Sequence, residues 1–245
     1  MNIKIVIAYD GTGLFGWQTS SDGPTVEEKL QAALEQIYQH PMVLQAASRT
    51  DRGVHAAGQV VNYRTDKELD LKRLLISLNQ LLPKTIRVLS IENARENFHP
   101  TLDAKGKIYH YHICQGAVQS PFRRHFSWHI HLPLDIKLMR EGAKCFLGTH
   151  DFASFTNVQA PRLKETVRTL KRLDIIEEGI SLRFEVEGDN FLYKMVRNLV
   201  GTLVYLGQGK VTLHDIPSAL AKRDRTLAGI TAPGHGLTLH KVLYY

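Results

Sequence analysis

Apolar positions recur along this chain with two periods, and the changes from one period to the other lay out its elements. Ile3 to Tyr9 is a mostly apolar run of strand length. After a glycine-rich loop, Val26, Leu30, Ala33, Leu34 and Ile37 form a helical stripe over residues 26–39, opened by a capping box of Thr25 and Glu28. Met42–Ala47 and Gln59–Tyr63 read as strands on either side of a polar loop. Asp70 caps a second helix that carries Leu71, Leu74, Leu75 and Leu78 on one side; Pro83 ends it, and Thr85–Ile91 returns to strand.

A second set of elements follows. Lys107–Cys114 is an alternating strand, and Asp135–Leu147 a helix that turns Ile136, Met139, Ala143 and Phe146 inward. Thr166–Ile176 and Ile180–Glu187 form a hairpin through Glu178-Gly179. A long helix covers Phe191–Leu206, Thr212 with Asp215 opens a shorter one, and Leu237–Leu243 is a last strand. The order predicts an α+β protein of two layered domains, 1–104 and 105–245, with helices on one side of predominantly antiparallel sheets.

Composition narrows the function classes. The chain has 245 residues, 43% of them hydrophobic, enough for a substantial core. No apolar run is long enough to span a membrane. The opening Met1-Asn2-Ile3-Lys4-Ile5-Val6-Ile7 reads as strand rather than signal peptide, and two cysteines, Cys114 and Cys145, give no disulfide framework. A cytoplasmic location is expected. Thirty-one Lys and Arg against 24 Asp and Glu give +7, concentrated at Arg123-Arg124-His125, between Arg162 and Arg172, and at Lys222-Arg223-Asp224-Arg225. Clusters of this kind suit a polyanion.

The densest chemistry lies in Ser48-Arg49-Thr50-Asp51-Arg52-Gly53-Val54-His55. An acid framed by two guanidinium groups is electrostatically suited to carry negative charge, and Gly53 permits a tight turn that aims it outward. A surface turn with an ion pair would show the same residues. Gly11-Thr12-Gly13-Leu14-Phe15-Gly16 matches the dinucleotide fingerprint, but the polar stretch before the helix argues against it. These glycines are expected to allow a close backbone turn, with Trp17 packed inside or at a substrate cleft. The pairs His110/His112 and His129/His131 lack a clear third metal ligand.

The segment Arg49–His55 resembles the active loop of the TruA family of tRNA pseudouridine synthases. So do Tyr9-Asp10-Gly11-Thr12 with Phe15-Gly16-Trp17-Gln18, Gly148–Phe155, Gly188–Gly201, and Ala232-Pro233 with Gly236-Leu237, so that the resemblance spans nearly the whole chain. Ser48 stands where the family commonly has glycine, and Arg52 where it has a small residue. Phe98-His99-Pro100-Thr101-Leu102 replaces a Phe-His-Ala-Arg-Phe pattern, without its arginine and second aromatic.

The resemblance implies two ferredoxin-like domains whose sheets join around a central catalytic cleft. It implies isomerisation of uridine to pseudouridine at positions 38 to 40 of the tRNA anticodon stem-loop, by a homodimer that uses neither organic cofactor nor metal. Asp51 is then the catalytic carboxylate, as nucleophile or as electrostatic stabiliser at C1′. Arg197 is the cation that orients it, and Tyr109 the ring that stacks on a flipped uracil, its hydroxyl available for proton transfer. Arg49, Arg52, Arg123, Arg124, Arg162, Lys164, Arg168, Lys222 and Arg223 are the candidate RNA contacts. A noncatalytic tRNA-binding protein or chaperone would share the basic patches and aromatics, but not the need for Asp51, Arg197 and Tyr109 together.

Overall fold

A computed structural model describes residues 1–158 and 165–244. The chain divides into two compact units, Met1–Lys105 together with the segment from Thr238 onward, and Gly106–Leu237. The C-terminal strand was expected with the second domain; it belongs instead to the first unit. Mixed α/β structure with extensive antiparallel sheet is present in both.

In the first unit, β1 (Asn2–Tyr9) lies between β3 (His55–Arg64) and β4 (Ile86–Ala94), antiparallel to both, and β2 (Gln45–Ala46) pairs with β3. Ile3, Ile5, Ile7 and Tyr9 of β1 are buried, as their alternation requires. α1 (Val26–Tyr38) opens on the expected capping box: the Thr25 hydroxyl accepts from Glu28 N–H, and the Glu28 carboxylate accepts from Thr25 N–H. α2 (Leu71–Leu81) is capped by Asp70, which accepts from the amides of Lys72 and Arg73 and is held below the usual carboxylate range by them. Leu30 and Leu34 of α1 and Leu74 and Leu78 of α2 supply buried side chains to this core.

The second unit is a sheet in the order β5 (Gly106–Gln115), β9 (Ser181–Gly188), β8 (Val167–Glu178), β7 (Gly148–Asp151), each antiparallel to the next. The short β6 (Trp128–Ile130) runs parallel to β5. Gly179, at φ 64, makes the β8–β9 hairpin turn expected there. α3 (Ile136–Lys144) packs on α4 (Met195–Gly207) through Gly142, where a Cβ would lie 2.3 Å from Leu206. α5 (Asp215–Lys222) follows, and β10 (Leu237–Leu243) runs parallel to β3 at Thr238 and Leu239. No helix among the described residues is long and apolar enough to cross a membrane.

Candidate active site

Asp51 lies on the loop between β2 and β3, and the main chain of this loop is held from several sides. The Asp51 carbonyl accepts from Val54 N–H at 3.1 Å, closing a turn whose third residue, Gly53, has φ 74. That φ suits a type II turn, which disfavours side chains larger than hydrogen at this position. On one side of Asp51 the Thr50 carbonyl accepts from Trp17 N–H at 3.0 Å, and the Thr50 hydroxyl is 2.7 Å from the Tyr9 hydroxyl. On the other, Gly53 N–H donates to Leu14 O at 3.2 Å. The buried Gln59 amide holds the loop's start, accepting from Ser48 N–H at 3.2 Å and donating to Ser48 O at 2.6 Å.

The glycines of residues 11–16 serve this loop. A Cβ on Gly11 would lie 2.2 Å from Val54 O, and one on Gly16, at φ 95, would lie 2.6 Å from Thr50 O. No helix opens after Gly16. The first amides of α1 are satisfied by the loop itself, Val26 N–H by Gly16 O at 3.1 Å and Glu27 N–H by Trp17 O at 2.9 Å, so the place where a pyrophosphate would sit is filled by protein carbonyls. Trp17 is buried at 2% exposure, an internal packing residue. Gly11 N–H donates to His55 Nδ1 at 2.9 Å, and the same ring nitrogen lies 3.2 Å from Asp10 Oδ1, so His55 ties this segment to the loop.

Arg49 and Arg52 are exposed beside Asp51. Arg52 places its guanidinium 4.0 Å from the centre of the Phe15 ring, and Gly23 makes room for that ring, since a Cβ there would be 2.5 Å from it. A stacked guanidinium is oriented without being neutralised.

In the second unit, Arg197 sits in the first full turn of α4, a helix with ten buried residues out of thirteen. Its expected start at Phe191 is displaced to Met195 because Lys194 takes a left-handed φ of 58. A charge on a helix that is otherwise apolar must find partners. Arg197 Nε donates to Ala232 O at 2.7 Å, and Ala232 N–H donates back to Arg197 O at 3.1 Å. Gly201, one turn on, allows this: a Cβ there would fall 1.7 Å from Ile230 O. Buried Asn198 ties the same region together, donating to Phe155 O and Asn157 Oδ1, both at 2.8 Å, and accepting from Arg225 at 2.9 Å and the Thr231 hydroxyl at 2.6 Å.

Tyr109 and Tyr111 stand two residues apart on β5 and so share one face, but they differ in employment. Tyr111 is fully buried, donates to Pro233 O at 2.9 Å and has its phenol pushed up by burial, with Arg197 opposing that shift. Tyr109 has an edge-to-face contact with Phe191, with ring centres 5.1 Å apart.

The basic patches divide. Arg124 and Lys222 are exposed; Arg124 donates to Pro121 O at 2.6 Å, and exposed Arg123 donates to the Ser181 hydroxyl. Half-buried Arg168 reaches Val167 O at 2.6 Å. Arg223 is paired with Asp151 at 3.0 Å, and Arg225 turns inward to Asn198, Thr231 and Gly229. Arg162 and Lys164 lie outside the described residues. Sequence reasoning missed the supports Tyr9, Gln59, Asn198 and Ala232. Tyr9, Asn198 and Ala232 stood in motifs that the resemblance singled out, though without a role; Gln59 carries no local signal.

The sequence model of one enzyme class, described as tRNA pseudouridine synthase, matches residues 5–102 and 143–245. Among individual relatives, tRNA pseudouridine synthase A 2 of Protochlamydia amoebophila (strain UWE25) is 48% identical over 246 residues, covering 99% of this chain and 94% of the relative. Synthase A 1 of the same organism is 42% identical over 244 residues, covering 98% and 95%. The synthase A of Thermoanaerobacter sp. (strain X514) is 40% identical over 243 residues and covers 99% of each chain. The chain belongs to the TruA family of tRNA pseudouridine synthases and is an RNA-modifying isomerase. The noncatalytic RNA-binding alternative is set aside.

Proposed function

We propose that this enzyme isomerises uridine to pseudouridine at positions 38 to 40 of the tRNA anticodon stem-loop, with Asp51 as the reacting carboxylate. The observation that carries the proposal is the mounting of Asp51, whose loop backbone is clamped by Gly11, Gly16, Trp17 and Gln59. An acid that merely decorates a surface needs no such frame, whereas a reacting group gains from being held in one geometry.

The reaction breaks the bond from C1′ to N1, turns the base, and joins C1′ to C5. N1 gains a proton and C5 loses one, so the conversion is redox-neutral. Asp51 attacks, or stabilises positive character at C1′ as the bond loosens; Arg197 orients the carboxylate; Tyr109 stacks on the everted uracil. In this proposal the two units are ferredoxin-like halves whose sheets line a shared cleft, and the enzyme works as a cytoplasmic homodimer. Everting a stem uridine costs about a few kcal/mol, which phosphate contacts must offset. Arg49 and Arg52 flank the everted nucleotide, and Arg123, Arg124, Arg162, Lys164, Arg168 and Lys222 grip the backbone. Arg223 contributes least, being already paired with Asp151.

The test uses tRNA tritiated at uracil C5. The native enzyme should release tritium and leave pseudouridine in the anticodon arm, while Asp51→Asn and Asp51→Ala bind tRNA and release none. Near-native turnover by both variants overturns the role of Asp51, and pseudouridine mapped elsewhere in the tRNA overturns the target.

A further inference from the structure

Lys107 is the most deeply buried lysine among the described residues of the second unit, at 5% exposure, and the mechanism above does not use it. Its Nζ donates to Asn190 Oδ1 at 2.9 Å, and that oxygen also accepts from Phe191 N–H at 2.9 Å. The Phe191 ring in turn stands at 83° to the Tyr109 ring, edge to face. Gly188, the residue opposite Lys107 in the β5–β9 register, leaves the space the ring uses: a Cβ there would lie 3.1 Å from Phe191 Cζ and 2.9 Å from Thr169 O. Asp189 completes the turn, accepting from Thr169 N–H at 3.1 Å and returning its own N–H to Thr169 O at 3.1 Å.

We propose that Lys107 is a positioning residue for pseudouridine synthesis, fixing the Tyr109 ring through Asn190 and Phe191. This rests on Tyr109 being the ring that meets the everted base. Lys107 does not touch the substrate; it sets the angle of the surface on which the base is received.

The energetics point the same way. Burial, with Arg168 nearby, pushes the Lys107 ammonium down to about 8, so the fold gives up stability to keep a cation there with a neutral amide as partner. A methionine of similar length would pack in its place without that cost. A residue present for stability alone would behave in the opposite way.

The experiment compares Lys107→Met, Asn190→Ala, Phe191→Leu, Tyr109→Leu and the double variant Lys107→Met/Phe191→Leu, measuring kcat and KM by tritium release and the thermal midpoint at pH 7. Lys107→Met and Asn190→Ala should each lower kcat about tenfold and leave KM within about twofold, the loss expected from misplacing a group by a fraction of an ångström. Lys107→Met should melt no lower than the native enzyme. In the Phe191→Leu background it should lower kcat no further, because the route to Tyr109 is already broken. Unchanged kcat in either single variant, or a multiplicative loss in the double, overturns the inference. Should Lys107→Met fail to fold, the exposed Asn190 still carries the test. If Tyr109→Leu turns over normally, the assignment of Tyr109 itself has failed, a result distinct from failure of Lys107 alone.

Discussion

Replacing Gly11 with alanine adds one methyl group at the point where the first loop meets the Asp51 turn. Gly11 does not have a left-handed φ, so the perturbation is purely steric. The new Cβ would sit 2.2 Å from Val54 O and 2.7 Å from Val54 C, both backbone atoms that cannot swing aside as a side chain would. Reaching even a tight 3.0 Å contact requires the two segments to part by about 0.8 Å. Val54 N–H is the donor that closes the turn on Asp51 O, so the displacement passes directly to the carboxylate's own residue. A misplacement approaching 1 Å costs up to about a hundredfold in rate, while overpacking of this kind costs about 1–3 kcal/mol in stability. Steady-state tritium release should therefore show Gly11→Ala with kcat lowered by about one to two orders of magnitude and KM for tRNA little changed, since the cations we propose to grip phosphate lie elsewhere. Gly179→Ala is the control. It suffers left-handed strain at φ 64 with no neighbour within reach, so it should lose about 1 kcal/mol and keep its kcat. A Gly11→Ala enzyme with near-native kcat would refute the link between loop packing and catalysis.

Gly201→Ala should push Ile230 O away from α4, break the exchange between Arg197 and Ala232, and destabilise by about 3 kcal/mol; denaturant midpoints and kcat falling together would bear this out, and an unchanged midpoint would not. Lys107 makes a pH prediction. Its folded pKa, about 8, lies below the ordinary 10.5, so its destabilisation is fully present below pH 8 and is relieved as pH rises towards 10.5. Native stability should thus rise relative to Lys107→Met across that window, by about 3 kcal/mol at most, in paired denaturant titrations at pH 7, 8.5 and 10. A difference independent of pH would show that the ammonium is not destabilised by burial.

What could be read from sequence was what local chemistry dictates. Thr25, Glu28 and Asp70 mark helix starts because a cap is an interaction over two or three residues, and each helix begins where they place it. β6 and β7 were not foreseen: Trp128-His129-Ile130 pairs over only three residues, Gly148-Thr149-His150-Asp151 carries no apolar alternation, and each is a strand where a neighbour offers its edge. β2 is shorter than its apolar run because Met42 and Leu44 are buried without pairing. The left-handed Lys194 cuts the start off α4, although Phe191-Leu192-Tyr193 continues the apolar pattern. The site shows the same division. Asp51 stood out because its flanking arginines and glycine are adjacent, whereas Tyr9 and Ala232 act across 41 and 35 residues of chain. A run such as Lys222-Arg223-Asp224-Arg225 hides three fates, one exposed, one ion-paired and one half-buried and turned inward, which charge counting cannot separate.

The two units solve one problem in the same way. A carboxylate or guanidinium that acts on a substrate gains from a main chain that holds it in one geometry. Around Asp51 that hold comes from Gly11 and Gly16 against the carbonyls of Val54 and Thr50; at Arg197 it comes from Gly201 against Ile230 O, with the arginine anchored through Nε and its backbone carbonyl. In all three places a backbone carbonyl occupies the position a Cβ would need. Stability alone would favour a side chain that packs there, since alanine is less flexible than glycine in the unfolded chain. Glycine at these contacts trades that stability for close approach, and the residues so mounted are the two charged groups to which we assign the chemistry.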